Sequence, residues 1–164
     1  LLDVTSLETG SVKLNKELYF IEELIGSALM RVEQKLSNHK VVTDIEHGLP
    51  LMRMDGLLIE QVLINLLENA AMHTPAGTNI NIMAEGNKSE ILVTISDNGK
   101  GIKHGDEEKI FDKFYAGTSS DGSLGLAICR GIVLAHGGKI WAKNADKDIG
   151  AVFSFTLPIK MDDE

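Results

Sequence analysis

Residues 54–73 read MDGLLIEQVLINLLENAAMH, and this stretch decides how the chain folds. Its apolar residues recur at helical spacing, and Asp55 stands where a helix N-cap is expected, so it predicts a helix over residues 56–72. This helix is apolar almost all round apart from one line of polar residues at intervals of four, which places them on one side of the helix. The line consists of Gln61, Asn65, Asn69 and His73.

This line of polar side chains, the polar stripe, has two explanations. It can be the solvent face of an ordinary helix. Solvent faces more often carry Lys and Glu than two asparagines, which are poor helix formers. The carbonyl oxygen of an asparagine can instead join the coordination shell of a hard cation such as Mg²⁺. A plain solvent face and a ligand-binding face both remain open at this point.

The segments on either side of this helix predict a domain of mixed helices and strands. Further helices are predicted over residues 21–37 and 124–136, and the first ten residues resemble the end of another helix. Predicted strands are 12–18, 41–45, 51–54, 80–84, 91–95, 139–143 and 151–157. Three helices and about five main strands in this order predict an α+β fold, an α/β sandwich with helices on one face of a mixed sheet.

Composition and charge narrow the classes of function. The 164 residues suffice for one domain, and 43% hydrophobic with 24% charged residues is typical of a soluble globular protein. Cys129 is the one cysteine, which excludes an internal disulfide and a cysteine-cluster metal site. A net charge of −8 argues against a broad nucleic-acid surface, although a nucleotide needs only local donors.

Two glycine-containing segments are candidates for ligand loops. Asp97-Asn98-Gly99-Lys100-Gly101 follows a predicted strand, and its residues suit either a simple turn or a loop whose backbone approaches a ligand. Gly122-Ser123-Leu124-Gly125-Leu126 opens the third predicted helix, where backbone amides and the helix dipole favour phosphate. The established phosphate-loop and dinucleotide fingerprints are absent from the sequence. Neither segment identifies a ligand by itself.

The order of these segments is more specific than any one of them. An Asn-x-x-x-Asn helix precedes a strand ending in Asp-x-Gly-x-Gly, then Phe111 and Phe114, and then a glycine- and leucine-rich helix start. This succession resembles the N, G1, F and G2 boxes of the ATP-binding catalytic domain of sensor histidine kinases, the GHKL or HATPase_c family, over nearly the whole chain. Residues 54–70 and 126–133 further resemble the Kdp-type, potassium-responsive kinases of that family.

The resemblance implies a Bergerat-type fold that binds ATP with Mg²⁺. It implies that Asn65 holds Mg²⁺, that Asn69 lies near the phosphates, and that Asp97 accepts a hydrogen bond from the adenine amino group. The other implied ATP-binding residues are His73, Gly99, Gly101 and Ile102 at the adenine, Phe111, Lys113 and Phe114 in a lid, and Gly122, Ser123, Leu124, Gly125 and Leu126 at the phosphates.

The resemblance also implies a protein-histidine kinase whose acceptor lies elsewhere. None of the five histidines has the sequence context of the family's phosphoacceptor, so we expect the γ-phosphate to pass to a histidine on a separate dimerisation domain. We expect residues 1–10 to end the preceding dimerisation helix, 11–160 to form the ATP-binding domain and 161–164 a tail. The parent protein is expected to be a homodimer in the bacterial inner membrane, with this domain in the cytoplasm and a cognate response regulator as partner.

Departures from the family pattern keep two alternatives open. Met72 and Ala116 stand where basic residues are usual, Ser123 stands where glycine is usual, and the lid is several residues short. These departures favour a degenerate nucleotide-binding regulatory module without kinase activity. The other alternative is an ATPase of the Hsp90 and gyrase type. It is disfavoured because Asn65 occupies the position of the water-activating glutamate, while Glu68 points elsewhere on the helix.

Overall fold

The computed structural model describes residues 13–72, 74–112, 120–145 and 150–159, with the backbone alone for 120–124. In these ranges the chain forms three α-helices, one short 3-10 helix and seven strands. The elements in chain order are β1 (Glu17–Tyr19), α1 (Ile21–Arg31), β2 (Lys40–Ile45), β3 (Met52–Met54), α2 (Gly56–Met72), β4 (Asn79–Gly86), β5 (Glu90–Asp97), the 3-10 helix (Lys109–Phe111), α3 (Ser120–Ala135), β6 (Ile140–Asn144) and β7 (Ala151–Pro158).

Five of the strands form one mixed sheet in the order β2-β4-β5-β7-β6. Strands β2 and β4 run parallel, and every other neighbouring pair is antiparallel. The predicted hairpins are therefore present, since β4 pairs with β5 and β6 pairs with β7. The predicted α/β sandwich, a mixed sheet of five strands with three helices, is confirmed.

The core lies between the helices and one face of this sheet. Side chains alternate along β4, where Ile80, Ile82 and Ala84 are buried while Asn81 and Met83 are exposed. The inward side chains of β5 and β7 continue this layer, and the buried faces of the three helices cover it. Strand alternation of this kind is what one covered face and one open face produce.

Several predicted segments differ in detail from the structure. The strand predicted over residues 12–18 is present in the described residues only as β1, Glu17–Tyr19. The strands near residues 41–54 flank a turn as predicted, but β2 pairs with β4, whereas β3 pairs with β1 in a separate two-stranded sheet. Turn residues predict a change of direction, yet pairing depends on burial of elements distant in sequence. The helix predicted to residue 37 ends at Arg31 and continues as turns, although Val32 and Leu36 remain buried.

No helix in the described ranges combines the length and the apolar character needed to cross a lipid bilayer. Residues 1–10, expected to be the end of a preceding helix, and residues 161–164 lie outside the described ranges.

Candidate functional site

Helix α2 carries the polar stripe, and its first turn is fixed by Asp55. The Oδ1 atom of Asp55 accepts a hydrogen bond from the Leu58 amide at 3.2 Å, which is the predicted N-cap. Its Oδ2 atom accepts from the Asn15 amide at 2.9 Å. The amide of Asp55 donates to Nε2 of His136 at the end of α3, at 3.0 Å. Asp55 therefore joins the segment before β1, the start of α2 and the end of α3.

Within the polar stripe, Asn65 contacts α3, whereas Gln61 is exposed. Asn65 is half-buried, and its Nδ2 donates to the carbonyl oxygen of Gly125 in α3 at 3.2 Å. Its Oδ1 accepts from Nε2 of Gln61 at 2.7 Å. The plain solvent-face explanation of the stripe is therefore wrong for Asn65, because a bond to the neighbouring helix holds this side chain.

Asn69 lies one turn further along the same stripe and is half-buried. Its Oδ1 atom is shielded from solvent, and no group in the described part of the chain donates a hydrogen bond to it. An unsatisfied buried acceptor costs about 1–3 kcal/mol. An oxygen in this state can accept a donor or a hard cation from a ligand.

The glutamates of α2 are turned towards α1 instead. Glu60 is buried, accepts a hydrogen bond from the Ser27 hydroxyl and pairs with Nε of Arg31 at 3.2 Å. Glu68 pairs with Nζ of Lys35 at 2.8 Å. The prediction that Glu68 points away from the stripe is confirmed, and neither glutamate is placed to activate a water beside the asparagines.

The glycine loop after β5 is held around the Asp97 carboxylate. Oδ1 of Asp97 accepts from the Gly99 amide at 2.9 Å and from the Ala151 amide of β7 at 3.3 Å. Gly101 has a φ of +82°, and a Cβ there would lie 2.6 Å from Oδ1 of Asn144. The loop therefore requires glycine at position 101 both for its backbone conformation and for lack of space.

Asn144, at the end of β6, is a site residue that sequence reasoning missed. Its Oδ1 accepts from the Ile102 amide at 2.6 Å, and its Nδ2 donates to the Ile102 carbonyl at 2.9 Å. A single asparagine at the end of a strand has no periodic or motif signal. Its position next to the glycine loop follows only from the pairing of β6 with β7 and of β7 with β5.

An open cleft of about 470 Å³ lies between the end of α2 and this loop. Met72, Thr74 and Pro75 line one part of it, and Asn98, Gly99 and Lys100 line another. Ligand pockets in proteins commonly measure about 300–1,000 Å³. A second groove of about 610 Å³ lies between the 3-10 helix, α3 and β6. Among the described lining residues, each cleft contains one predicted site residue, which is Gly99 in the first and Phe111 in the second.

Phe111 is placed by packing. It is buried, and its ring meets that of Phe153 edge to face with centroids 6.2 Å apart. Ile102 is half-buried against the core. Leu126, which the resemblance places at the phosphates, has its side chain in the core.

Helix α3 begins at Ser120, four residues before the predicted start at Leu124. The unpaired amides of a helix belong to its first turn, which here contains Gly122 and ends near Ser123. Gly125 and Leu126 lie in the second turn, where amides bond within the helix. The unpaired amides of this helix therefore belong to residues 120–123, which include the predicted Gly122 and Ser123 but neither Gly125 nor Leu126. His73, Lys113 and Phe114 lie outside the described residues.

Two buried titratable groups border the site. His136, in the turn that follows α3, is buried between Asp55 and the Ile132 carbonyl, which lies 2.8 Å from its Nδ1. Burial lowers the pKa of His136, and the bond to Ile132 and the charge of Asp55 oppose this effect. Burial raises the pKa of the Cys129 thiol to about 12, with a hydrogen bond from Asn65 opposing it. Cys129 is buried in the core.

Comparison with known proteins identifies the family to which this fold belongs. The family described as histidine kinase-, DNA gyrase B- and HSP90-like ATPase matches residues 54–161. The sensor protein KdpD of Clostridium acetobutylicum is 40% identical over 96% of this chain, and that of Escherichia coli is 42% identical over 96%. The chain spans 18% of the length of each of these relatives.

Solved structures agree with these matches. The catalytic domain of the histidine kinase ThkA has a TM-score of 0.82 and 31% identity, over 91% of this chain and 100% of that one. A complex of ThkA with the response regulator protein TrrA has a TM-score of 0.79 and 31% identity, over 96% of this chain and 46% of the ThkA chain.

The chain therefore belongs to the family of histidine kinase-, DNA gyrase B- and HSP90-like ATPases. Within that family it is similar to the ATP-binding catalytic domains of sensor histidine kinases, among them the KdpD proteins. Both levels of the resemblance found in the sequence are confirmed.

Proposed function

We propose that this chain binds ATP with Mg²⁺ and presents the γ-phosphate to a histidine on a separate dimerisation domain. One observation carries the proposal: Asn69, on the asparagine stripe of a histidine-kinase-like fold, has a buried Oδ1 without a donor in the described ranges. An oxygen that is shielded from water and has no donor among the described residues is available to a donor or a cation from a ligand.

The adenine end of the proposed site is the Asp97 loop. Two backbone amides fix Oδ1 of Asp97, and Gly99 lines the adjoining cleft. A hydrogen bond between a carboxylate and the adenine amino group contributes about 1.5–3 kcal/mol. Removing the charge of Asp97 is therefore expected to weaken binding by about 10- to 100-fold.

The cation is proposed to bind on the polar stripe. The resemblance assigns it to Asn65, but the hydrogen bonds favour Asn69, because both polar atoms of Asn65 are already engaged. The described residues contain no cluster of three or more His, Cys, Asp or Glu that could hold a metal. The donor set fits Mg²⁺, which commonly takes a few protein oxygens together with substrate phosphates. When bound, the cation would neutralise developing charge on the phosphates.

The phosphates are proposed to meet the first turn of α3, where Gly122 lies. The bond from Asn65 to Gly125, in the second turn, holds α3 against α2. Phe111, buried against Phe153, anchors the chain that leads towards Lys113 and Phe114. These roles rest on the family resemblance together with the packing of the described residues.

Hydrolysis is a weaker candidate than transfer. Glu60 and Glu68 pair with groups on or after α1, so no glutamate of α2 faces the asparagines. A regulatory module without catalysis has one specific observation in its favour. Met72 is about half exposed in the lining of the cleft, where the family pattern has a basic residue.

The parent protein is proposed to be a membrane-anchored homodimer that signals to a response regulator. KdpD relatives are named sensor proteins, and the ThkA structure contains a response regulator. We propose residues 1–10 as the end of the dimerisation helix and 11–160 as the catalytic domain. The regulatory link to potassium rests on the similarity to KdpD.

The test combines binding with transfer. Calorimetry with a non-hydrolysable ATP analogue, with and without Mg²⁺, should give magnesium-dependent binding that Asp97→Asn weakens and that Asp44→Asn, an exposed strand variant, leaves unchanged. Radiolabelled ATP with a separately purified dimerisation domain should label its histidine. Binding without transfer would establish the regulatory module, and turnover without acceptor would establish the ATPase. Absence of binding would contradict all three.

A further inference from the structure

The glycine loop after β5 is held from the side of the β6–β7 hairpin. Asn144 contacts Ile102 with both polar atoms of its amide, at 2.6 Å to the nitrogen and 2.9 Å to the oxygen. A side chain that both donates to and accepts from the backbone of one residue fixes the orientation of that residue as well as its distance. We call this pair of bonds the Asn144 clasp. It holds Ile102, the end of the loop that begins at Asp97.

The same hairpin also fixes the start of the loop. The Ala151 amide donates to Oδ1 of Asp97, and a Cβ at Gly150 would overlap the Asp97 carbonyl oxygen. Gly150 adopts a φ of +93°, and its carbonyl closes the hairpin by accepting from the Ala145 amide at 3.0 Å. The turn end of the β6–β7 hairpin therefore contacts both ends of the Asp97–Ile102 loop.

The opposite side of the loop is held by a different strand. Oδ1 of Asn98 accepts from the Asn79 amide at the start of β4, at 3.0 Å. The loop is thus held between β4 on one side and the β6–β7 hairpin on the other. The glycines of the loop allow its backbone conformation, and hydrogen bonds to the neighbouring strands fix that conformation. Loss of the Asn144 clasp would free the glycine end of the loop while leaving the Asn98 contact in place.

We propose that Asn144 is a positioning residue that makes the site selective for adenine by fixing the loop that carries Asp97. The proposal rests on the function proposed above, in which Asp97 recognises the base. Hydrogen bonds weaken steeply when their angle departs from linearity, so a small loop displacement reduces recognition of the base more than general affinity. Inosine triphosphate is the matched probe, because its base has a carbonyl oxygen where adenine has the amino group.

The experiment measures the ratio of ATP to inosine triphosphate affinity in the Mg²⁺ form of the whole chain. The variants are Asn144→Asp, which keeps the acceptor and loses the donor, and Asn144→Ala, which loses both. The control is Asn87→Ala, another loop asparagine, whose Oδ1 accepts from the Ser89 and Glu90 amides at the far end of β4 and β5. We expect the ratio to fall about tenfold in Asn144→Ala, less in Asn144→Asp, and not in the control.

A readout without ligand guards against a purely structural effect. Hydrogen exchange at the Ile102 amide should accelerate in Asn144→Ala and not in Asn87→Ala, with similar thermal unfolding of the two variants. Tight binding with an unchanged ratio in both Asn144 variants would overturn this proposal and leave the proposed function standing. If the unmodified chain binds neither nucleotide, the proposed function fails and this proposal fails with it.

Discussion

The two sides of helix α2 are built differently. The side towards α1 carries Glu60 and Glu68, and each has a partner: Glu60 bonds to Ser27 and Arg31, and Glu68 to Lys35. The side that carries the polar stripe has uncharged amides: Asn65 donates to Gly125 of α3, and Asn69 has a buried oxygen without a donor in the described ranges.

Under the proposed function, this difference separates folding from ligand binding within one helix. Paired polar groups stabilise the packing of α2 on α1, whereas a buried oxygen without a donor among the described residues destabilises the ligand-free protein and is proposed to bind a ligand. Variants of the two sides should therefore have opposite signatures. Changes facing α1 should alter the free energy of unfolding, and changes on the side of the polar stripe should alter nucleotide affinity.

The largest effect on stability is expected for Glu60→Ala. Glu60 is buried, and its loss removes two hydrogen bonds that involve a charged group, so the free energy of unfolding should fall by about 3 kcal/mol. Urea unfolding measures this change. The control is Glu60→Gln, which keeps the shape and a bond to Ser27 and should lose less. A reduced affinity for ATP in the folded Glu60→Gln protein would break the division between the two sides.

A smaller effect is expected at the start of α2, for His136→Ala. The substitution leaves the Asp55 amide without its acceptor, at a cost of about 2 kcal/mol. Burial lowers the pKa of His136 from its ordinary value of 6.5, so the unfolded chain binds the proton more tightly than the folded one. The stability that His136 provides should be complete above pH 6.5 and fall as the pH drops below it.

Unfolding measured against pH tests this second prediction. The slope below pH 6.5 should decrease in the His136 variant and remain in His47→Gln, which alters an exposed turn. An unchanged slope in His136→Ala would show that this histidine is not the group responsible.

The smallest effect is expected for Lys35→Met. The Lys35 side chain is mostly exposed in its pair with Glu68, and such surface pairs contribute about 0–1 kcal/mol. The free energy of unfolding should change by less than the Glu60 variant changes it, and the small difference should shrink further at high salt. A loss of ATP affinity would mean that the α1 side of the helix communicates with the site.

The sequence was most informative where structure is local. The bounds of α2, its Asp55 cap and the β4–β5 hairpin follow from period, capping and turn chemistry, and the structure has them as predicted. The alignment of Gln61, Asn65 and Asn69 along one side of α2 also follows from their four-residue spacing, whereas the contact of Asn65 with α3 was not predicted. The sequence pattern can predict these features because each of them depends on residues that are close to one another in the sequence.

Contacts between distant segments could not be predicted in the same way. Asn144 and Ile102 are 42 residues apart, and His136 and Asp55 are 81 apart. The parallel pairing of β2 with β4 likewise joins segments that are distant in the sequence, because β3 and α2 lie between these two strands along the chain. No periodic pattern predicts such contacts between distant residues. The Asn144 clasp and the burial of His136 are therefore evident only from the folded structure. The start of α3 was also predicted four residues too late, at Leu124 instead of Ser120.

Substitution of Asn69 by alanine, assayed for both affinity and stability, tests the central claim most directly. It removes the unpaired oxygen without disturbing the bonds of Asn65 or of the glutamates. We predict that calorimetry with an ATP analogue loses its magnesium-dependent component, while the free energy of unfolding in the absence of nucleotide stays equal or rises. Unchanged magnesium-dependent binding together with a large loss of stability would contradict the account, because Asn69 would then belong to the packing of α2 and not to the site.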